Sequence, residues 1–300
     1  MKFYSSGKLL ISGEYAVLFG TKALAVPTVF GQTMWVEETE RRGLIRWKSF
    51  DNDGRIWFQA AFDMTKRKVA NTSDEEISNR LLKLLIFILE NSKTVRLNRQ
   101  GFDVRTELNF DQNWGLGSSS TLVSNLSQWT EVDAIKLLHS AFLGSGYDVA
   151  VGLENKALFY QIKNNEPVWH TINWQPPFAN ELFFVYLGEK QSTENAIKSV
   201  DMQRFTDEQV SFFSDLSDKI FQSKTVEEFT EYVTEHETKL AKILQLKTIK
   251  ENLFADYPKA IKSLGAWGGD FVLCIGNQEN RNYFIQNGYS TILSWEEMVW

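Results

Sequence analysis

The stretch Asn113-Trp114-Gly115-Leu116-Gly117-Ser118-Ser119-Ser120-Thr121 constrains this chain more than any other, because of what flanks it. Ahead of it, Phe102, Val104, Thr106, Leu108 and Phe110 alternate with Asp103, Arg105, Glu107 and Asn109, the period-two pattern of a half-buried strand. Behind it, Leu122, Val123, Leu126 and Trp129 recur at helical spacing. The glycines therefore fall in a strand-to-helix turn. Glycine lets a backbone approach a phosphate closely, and the unpaired amides and positive dipole end of a helix attract its charge. Gly115 to Ser120 reads as a cradle for the phosphates of a nucleotide such as ATP, and taken alone it also fits a tight turn with a serine cap.

Two better-known phosphate motifs do not fit. A dinucleotide fingerprint would need a second strand with an acidic residue about twenty positions later, and the sequence supplies another helix there. A P-loop fails because Gly7-Lys8-Leu9 lacks both the upstream glycine and the following Ser or Thr.

Composition narrows the class further. With 300 residues, 43% hydrophobic and 23% charged, the chain is an ordinary globular one, long enough for one large domain or two modest ones. A net charge of −6 argues against a broad nucleic-acid surface and leaves room for a local basic pocket. The single cysteine, Cys274, excludes an internal disulfide framework, fits a reducing cytoplasm, and sits in Phe271-Val272-Leu273-Cys274-Ile275 as a buried strand residue would. Residues 2 to 8 lack the apolar core of a signal peptide. The longest apolar run, Leu81 to Leu89, is about half of the roughly 18 residues needed to span a bilayer, so no membrane partner is expected.

Along the chain, strands are expected at 2–12, 24–37, 43–49 and 55–62, the last two joined as a hairpin through Asp51-Asn52-Asp53-Gly54. A helix at 74–91 would open on a Ser73 to Glu76 capping box. After the helix beginning near Ser119, a second would be capped by Thr130, bury Ala134, Leu137, Leu138 and Ala141, and end at Gly144-Ser145-Gly146. Residues 147–171 read as strands, and Trp174-Gln175-Pro176-Pro177-Phe178 marks a boundary between a domain at 1–174 and one at 175–300. Then come a strand at 182–187, helices at 207–222 and 226–245, and a helix-like stretch at 247–264. The strand 271–275, a short helix and a final strand complete an α+β pattern.

Three further segments join the cradle: Ser6-Gly7-Lys8-Leu9-Leu10-Ile11-Ser12-Gly13-Glu14-Tyr15-Ala16-Val17-Leu18-Phe19-Gly20, Gly144-Ser145-Gly146-Tyr147-Asp148-Val149-Ala150, and Gly265-Ala266-Trp267-Gly268-Gly269. Together, and in this order, they resemble the signatures of the GHMP kinases, the superfamily of galactokinase, homoserine kinase, mevalonate kinase and phosphomevalonate kinase. Tyr15 stands where mevalonate kinases usually carry histidine, which leans toward phosphomevalonate kinases. The Asp148 segment leans the same way and is also similar to a bacterial subgroup named for its Gly-Tyr-Asp-Ile-Ala motif.

The resemblance implies an N-terminal domain like the second domain of ribosomal protein S5, a ferredoxin-like C-terminal domain, and phosphoryl transfer from ATP with Mg²⁺ to mevalonate, phosphomevalonate or a related metabolite. Gly115, Leu116, Gly117, Ser118, Ser119 and Ser120 would wrap the ATP phosphates, with Ser119 as the hydroxyl ligand to Mg²⁺ or, on the plainer reading, as the helix cap. Asp148 would take or orient the acceptor proton, and Lys8 would offset developing charge. Glu14, Tyr15, Gly268 and Gly269 would line the acceptor, Glu14 otherwise satisfying its own turn. The partner implied is a small molecule, the assembly a monomer or homodimer.

One position departs from the pattern. Mevalonate kinases usually carry a glutamate metal ligand at the place that falls here on Leu137, and the nearest acids are Glu131 and Asp133. A catalytically silent nucleotide-binding homologue is therefore the competing reading. Lys190, Ser192 and Thr193 lie where relatives carry a basic and hydroxyl segment, or form a solvated loop. His139, His170 and His236 show no metal-ligand spacing.

Overall fold

A computed structural model describes residues 1–188, 205–265 and 270–300. The chain forms two compact units interleaved in sequence. The first comprises 1–7, 30–112 and 116–155, and the second 8–29, 113–115 and 156–300.

In the first unit the strand order is β5 (Lys68–Thr72), β4 (Ile56–Asp63), β3 (Leu44–Phe50), β6 (Gly101–Leu108), then the latter half of β2 (Ala23–Thr39). All pairs are antiparallel except β3 with β6. The expected 51–54 hairpin is present, whereas β5 carries no apolar alternation and was not legible. Helix α1 (Glu75–Asn91) buries Leu81, Leu84, Leu85 and Ile88, a one-sided stripe at helical spacing, in a core with Trp47, Phe58, Phe62 and Phe102. Its cap is Asp74, accepting from the Ile77 amide, not Ser73. Helix α2 (Ser118–Thr130) runs through Thr130, so α3 (Ala134–His139) is capped by Asp133 instead. Residues 147–154 form helix α4 (Tyr147–Glu154) rather than a strand.

In the second unit, the start of β2 pairs with β7 (Leu158–Lys163), which pairs with β8 (Glu166–Thr171). A separate antiparallel sheet has the order β10 (Ile261–Ser263), β11 (Phe271–Ile275), β9 (Leu182–Tyr186), β12 (Ile292–Ser294). Its central strands are apolar on both sides because both sides are covered. Phe183, Val185, Val272 and Cys274 meet Phe254, Tyr257 and Phe284, while Phe184 lies 5.8 Å from the Trp295 ring. Helices α5 (Asp207–Gln222) and α6 (Val226–Leu244) pack Phe213, Leu216, Leu240 and Leu244 around Ala16. The expected helix at 247–264 is only α7 (Ile249–Leu253), ended before the extended β10. No helix among the described residues is long and apolar enough to cross a membrane.

Candidate functional site

Helix α2 opens on Gly117, whose left-handed backbone (φ 90°) offers no side-chain acceptor to the first-turn amides. Ser120 donates to the Gly117 carbonyl (2.8 Å) and Thr121 to that of Ser118 (3.0 Å), so these hydroxyls are spent inward. Ser119 is exposed and is not the cap. Seven other helices among the described residues are capped by Asp74, Asp133, Thr206, Thr225, Thr248, Asn277 and Ser294, each accepting a main-chain hydrogen bond. Only α2 and α4 lack such an acceptor among the described α-helices, and both are led by glycine.

The start of the loop is anchored to the small sheet of the second unit. Tyr186 donates from its hydroxyl to the Asn113 carbonyl (3.1 Å), and Trp114 meets Phe271 edge-on at 5.5 Å. Gly115 has φ 67°, and a Cβ there would lie 2.1 Å from the Asp270 carboxyl carbon. Its side must be bare for that acid to fit. Lys8, half-buried on β1 (Lys2–Ser12), donates from Nζ to the Gly115 carbonyl at 3.1 Å. The lysine is thus brought to the loop itself. Asp270 belongs to no role read from sequence; the signal available was its place directly after Gly268-Gly269.

Asp148 stands in the first turn of α4 behind Gly146 (φ 91°), half-buried, with Oδ1 accepting from the Val149 amide at 2.9 Å. Helix α4 is fixed to α2 by Ser124, whose hydroxyl lies 2.9 Å from the Ser120 carbonyl and 3.0 Å from that of Val149. Gly152 makes this approach possible, since a Cβ there would sit 2.8 Å from the Ser124 oxygen. The first turns of α2 and α4, one carrying the bare amides and the other the aspartate, are therefore pinned to one hydroxyl.

Leu137 is fully buried in the core of the first unit and offers nothing to a metal. Glu131 is the left-handed cap residue ending α2, and Asp133 is spent capping α3. No group of three or more His, Cys, Asp or Glu residues suited to a metal occurs among the described residues.

Glu14 is 1% exposed and ion-paired with Lys262, with His236 Nε2 3.4 Å away. Burial pushes its carboxyl above the usual range, opposed by the Lys262 charge. Tyr15 is half-buried beside the α5–α6 cluster. Gly268, Gly269, Trp267, Lys190, Ser192 and Thr193 lie outside the described residues.

No protein-family model matches the sequence, and no curated protein is a significant relative. Solved structures do match over nearly the whole chain, and the fold they define is that of the GHMP kinases. Phosphomevalonate kinase of Streptococcus pneumoniae, in complex with phosphomevalonate and AMPPNP, is 16% identical, with a TM-score of 0.71 over 98% of this chain and 99% of its own. Galactokinase of Lactococcus lactis, complexed with galactose, is 13% identical, with a TM-score of 0.72 over 98% and 92%. Mevalonate kinase of Methanococcus jannaschii is 18% identical, with a TM-score of 0.63 over 98% of each chain.

Proposed function

We propose that this chain is an ATP-dependent small-molecule kinase of the GHMP type, with mevalonate, phosphomevalonate or a related metabolite as acceptor. The observation that carries the reading is the pairing of α2 and α4: two helices led by glycine, without side-chain caps, pinned by Ser124, one offering amides and the other Asp148. The domains expected at 1–174 and 175–300 are, on this reading, the S5-like and ferredoxin-like domains of such kinases.

Phosphoryl transfer asks a protein for placement and charge stabilisation more than for covalent chemistry. The amides of Ser118, Ser119 and Ser120 suit phosphate oxygens at a helix start. The acceptor oxygen would bond to the γ-phosphorus as the bond to the bridging oxygen breaks. Its proton would pass to Asp148, giving ADP and the phosphorylated acceptor. Lys8 would stiffen the loop through the Gly115 carbonyl and add positive charge beside it. Mg²⁺ would rest on the nucleotide's own phosphates and the exposed Ser119 hydroxyl, neutralising charge, because the Leu137 position is closed. That closure is also what favours the second reading, a silent nucleotide binder.

ADP release with Mg-ATP across mevalonate, phosphomevalonate, homoserine and sugars tests the kinase. Turnover with one acceptor is expected; an ATP-induced thermal shift without turnover on any acceptor would select the silent binder. Asp148→Asn is expected to lower kcat by about 10²-fold or more while leaving ATP affinity near that of the parent. Equal turnover in the variant would remove Asp148 from the role.

A further inference from the structure

Asp270 directly precedes β11, with its backbone in the left-handed region at φ 54°. A residue bearing a side chain stays in that region only where its surroundings hold it there. Here Leu187 donates from its amide to the Asp270 carbonyl at 2.8 Å, and Phe271 pairs with Tyr186 in the register of β9. The same strand end holds the loop, because the Tyr186 hydroxyl donates to the Asn113 carbonyl and Phe271 packs edge-on against Trp114. Asp270 and the segment Asn113-Trp114-Gly115 are thus hung from two adjacent residues, Leu187 and Tyr186, within the second unit. The carboxylate is aimed accordingly. It occupies the space beside the Gly115 Cα that a Cβ would fill.

A negative charge in that place conflicts with a phosphate cradle taken alone. Gly115 opens the segment on which nucleotide phosphates would lie, and it stands two residues, at most about 7 Å of chain, before the Gly117 that leads α2. Like charges so close repel, the more so where water is excluded. Lys8, bonded through Nζ to the Gly115 carbonyl, supplies one positive charge. That charge is outweighed by a carboxylate and a polyphosphate together. A divalent cation reverses the sign of the interaction, since Mg²⁺ takes one or two carboxylates and completes its shell with phosphate oxygens and water. The position to which the family resemblance assigns a metal glutamate is closed by Leu137, and Asp133 is spent as a helix cap.

We infer that Asp270 supplies the carboxylate that receives the divalent cation of a metal–nucleotide complex, in place of the glutamate absent at Leu137, and that Gly115 is bare so that this carboxylate can reach the cradle. The inference rests on the reading of Gly115 to Ser120 as a nucleotide site, and holds whether or not phosphoryl transfer follows.

The test needs no turnover. Asp270→Asn removes the charge and keeps the shape, and asparagine tolerates positive φ as aspartate does. Binding of AMPPNP to the intact protein is measured by calorimetry in Mg²⁺ and again in EDTA. The variant is expected to bind AMPPNP about 10-fold more weakly than the parent in Mg²⁺, and as tightly or more tightly in EDTA, where only the repulsion has been removed. Mn²⁺ followed by electron paramagnetic resonance at saturating AMPPNP is expected to bind the variant about 10-fold more weakly. Lys8→Met, in contrast, should weaken AMPPNP in both media, because it removes a positive charge. Should Asp270→Asn not fold, Asp270→Gly removes the carboxylate without strain at positive φ and gives the same reading.

Equal weakening of AMPPNP in both media would mark a general defect of the loop and overturn the inference. Unchanged Mn²⁺ affinity in a folded variant would also overturn it, while leaving the nucleotide site in place. A parent that binds AMPPNP neither in Mg²⁺ nor in EDTA would sink the nucleotide reading itself, and the inference with it.

Discussion

Gly115 shows how much one missing side chain can decide. Its φ of 67° belongs to the left-handed region, and the Asp270 carboxylate fills the space a methyl group would need. Gly115→Ala should combine backbone strain of about 1–2 kcal/mol with displacement of Asp270. A lowered Tm and loss of the ATP-induced thermal shift are the expected results. His236 makes a different kind of prediction, about pH. Burial, reinforced by the Lys262 charge, holds its imidazole well below its ordinary range. As pH falls through about 6.5, the unfolded chain takes up a proton there that the folded chain refuses, so stability is lost with acidification. Glu14 and Glu237, both raised mainly by burial, act with the opposite sign: their contribution is largest below about pH 4.5 and fades as pH rises above it. The informative quantity is therefore the difference between the parent and His236→Gln in urea titrations from pH 7.5 to 5. It should shift against the parent by up to about 1.4 kcal/mol for each unit below 6.5. A constant difference would mean that His236 takes up its proton as readily in the folded protein as in the unfolded chain. Lys8 and Asp148 could be read as candidates only through the resemblance of their segments, Gly7-Lys8 and Gly146-Tyr147-Asp148, to a kinase family. The inward turn of Glu14 could not, because Lys262 lies 248 residues away and nothing local announces it.

Between elements, the contact that matters most is that of α2 with α4. Ser124 bonds a carbonyl on each helix, and Gly152 has no Cβ to keep them apart. Gly152→Ala should cost about 1–3 kcal/mol through overpacking and lower kcat more than ATP affinity, since it moves Asp148 against the cradle. Combining it with Ser124→Gly, which vacates the space, should recover part of the stability; no recovery would show that the strain lies elsewhere. Helix α4 was also the element that sequence pattern missed. Tyr147, Val149 and Val151 favour extended chain by propensity, and the glycine lead and the α2 surface override it. The same limit applies to 247–264, where a helical apolar pattern ends in a strand completing a sheet with β11. By contrast α1, α5 and α6, with one-sided apolar stripes over four or more turns, were legible nearly to their ends.

At the scale of the whole molecule, the single cysteine reports on cooperativity. Cys274 is fully buried in the central strand β11, and burial holds its thiol well above the usual range. Its reaction with a disulfide reagent should be negligible in the native protein and should rise with urea in step with loss of the second unit's core. Fast labelling in buffer would place β11 at an open edge instead. The amino-acid sequence by itself determined the strand-turn-helix at Gly115 to Ser120, the α+β class and the apolar stripes, because these depend on periodicities and φ preferences that act within a few residues. The reach of Asp270 to Gly115 and the withdrawal of Glu14 into a buried ion cluster come only from tertiary structure. Those outcomes depend on which distant segments share a dry interior, where charge must find a partner and a missing Cβ becomes space.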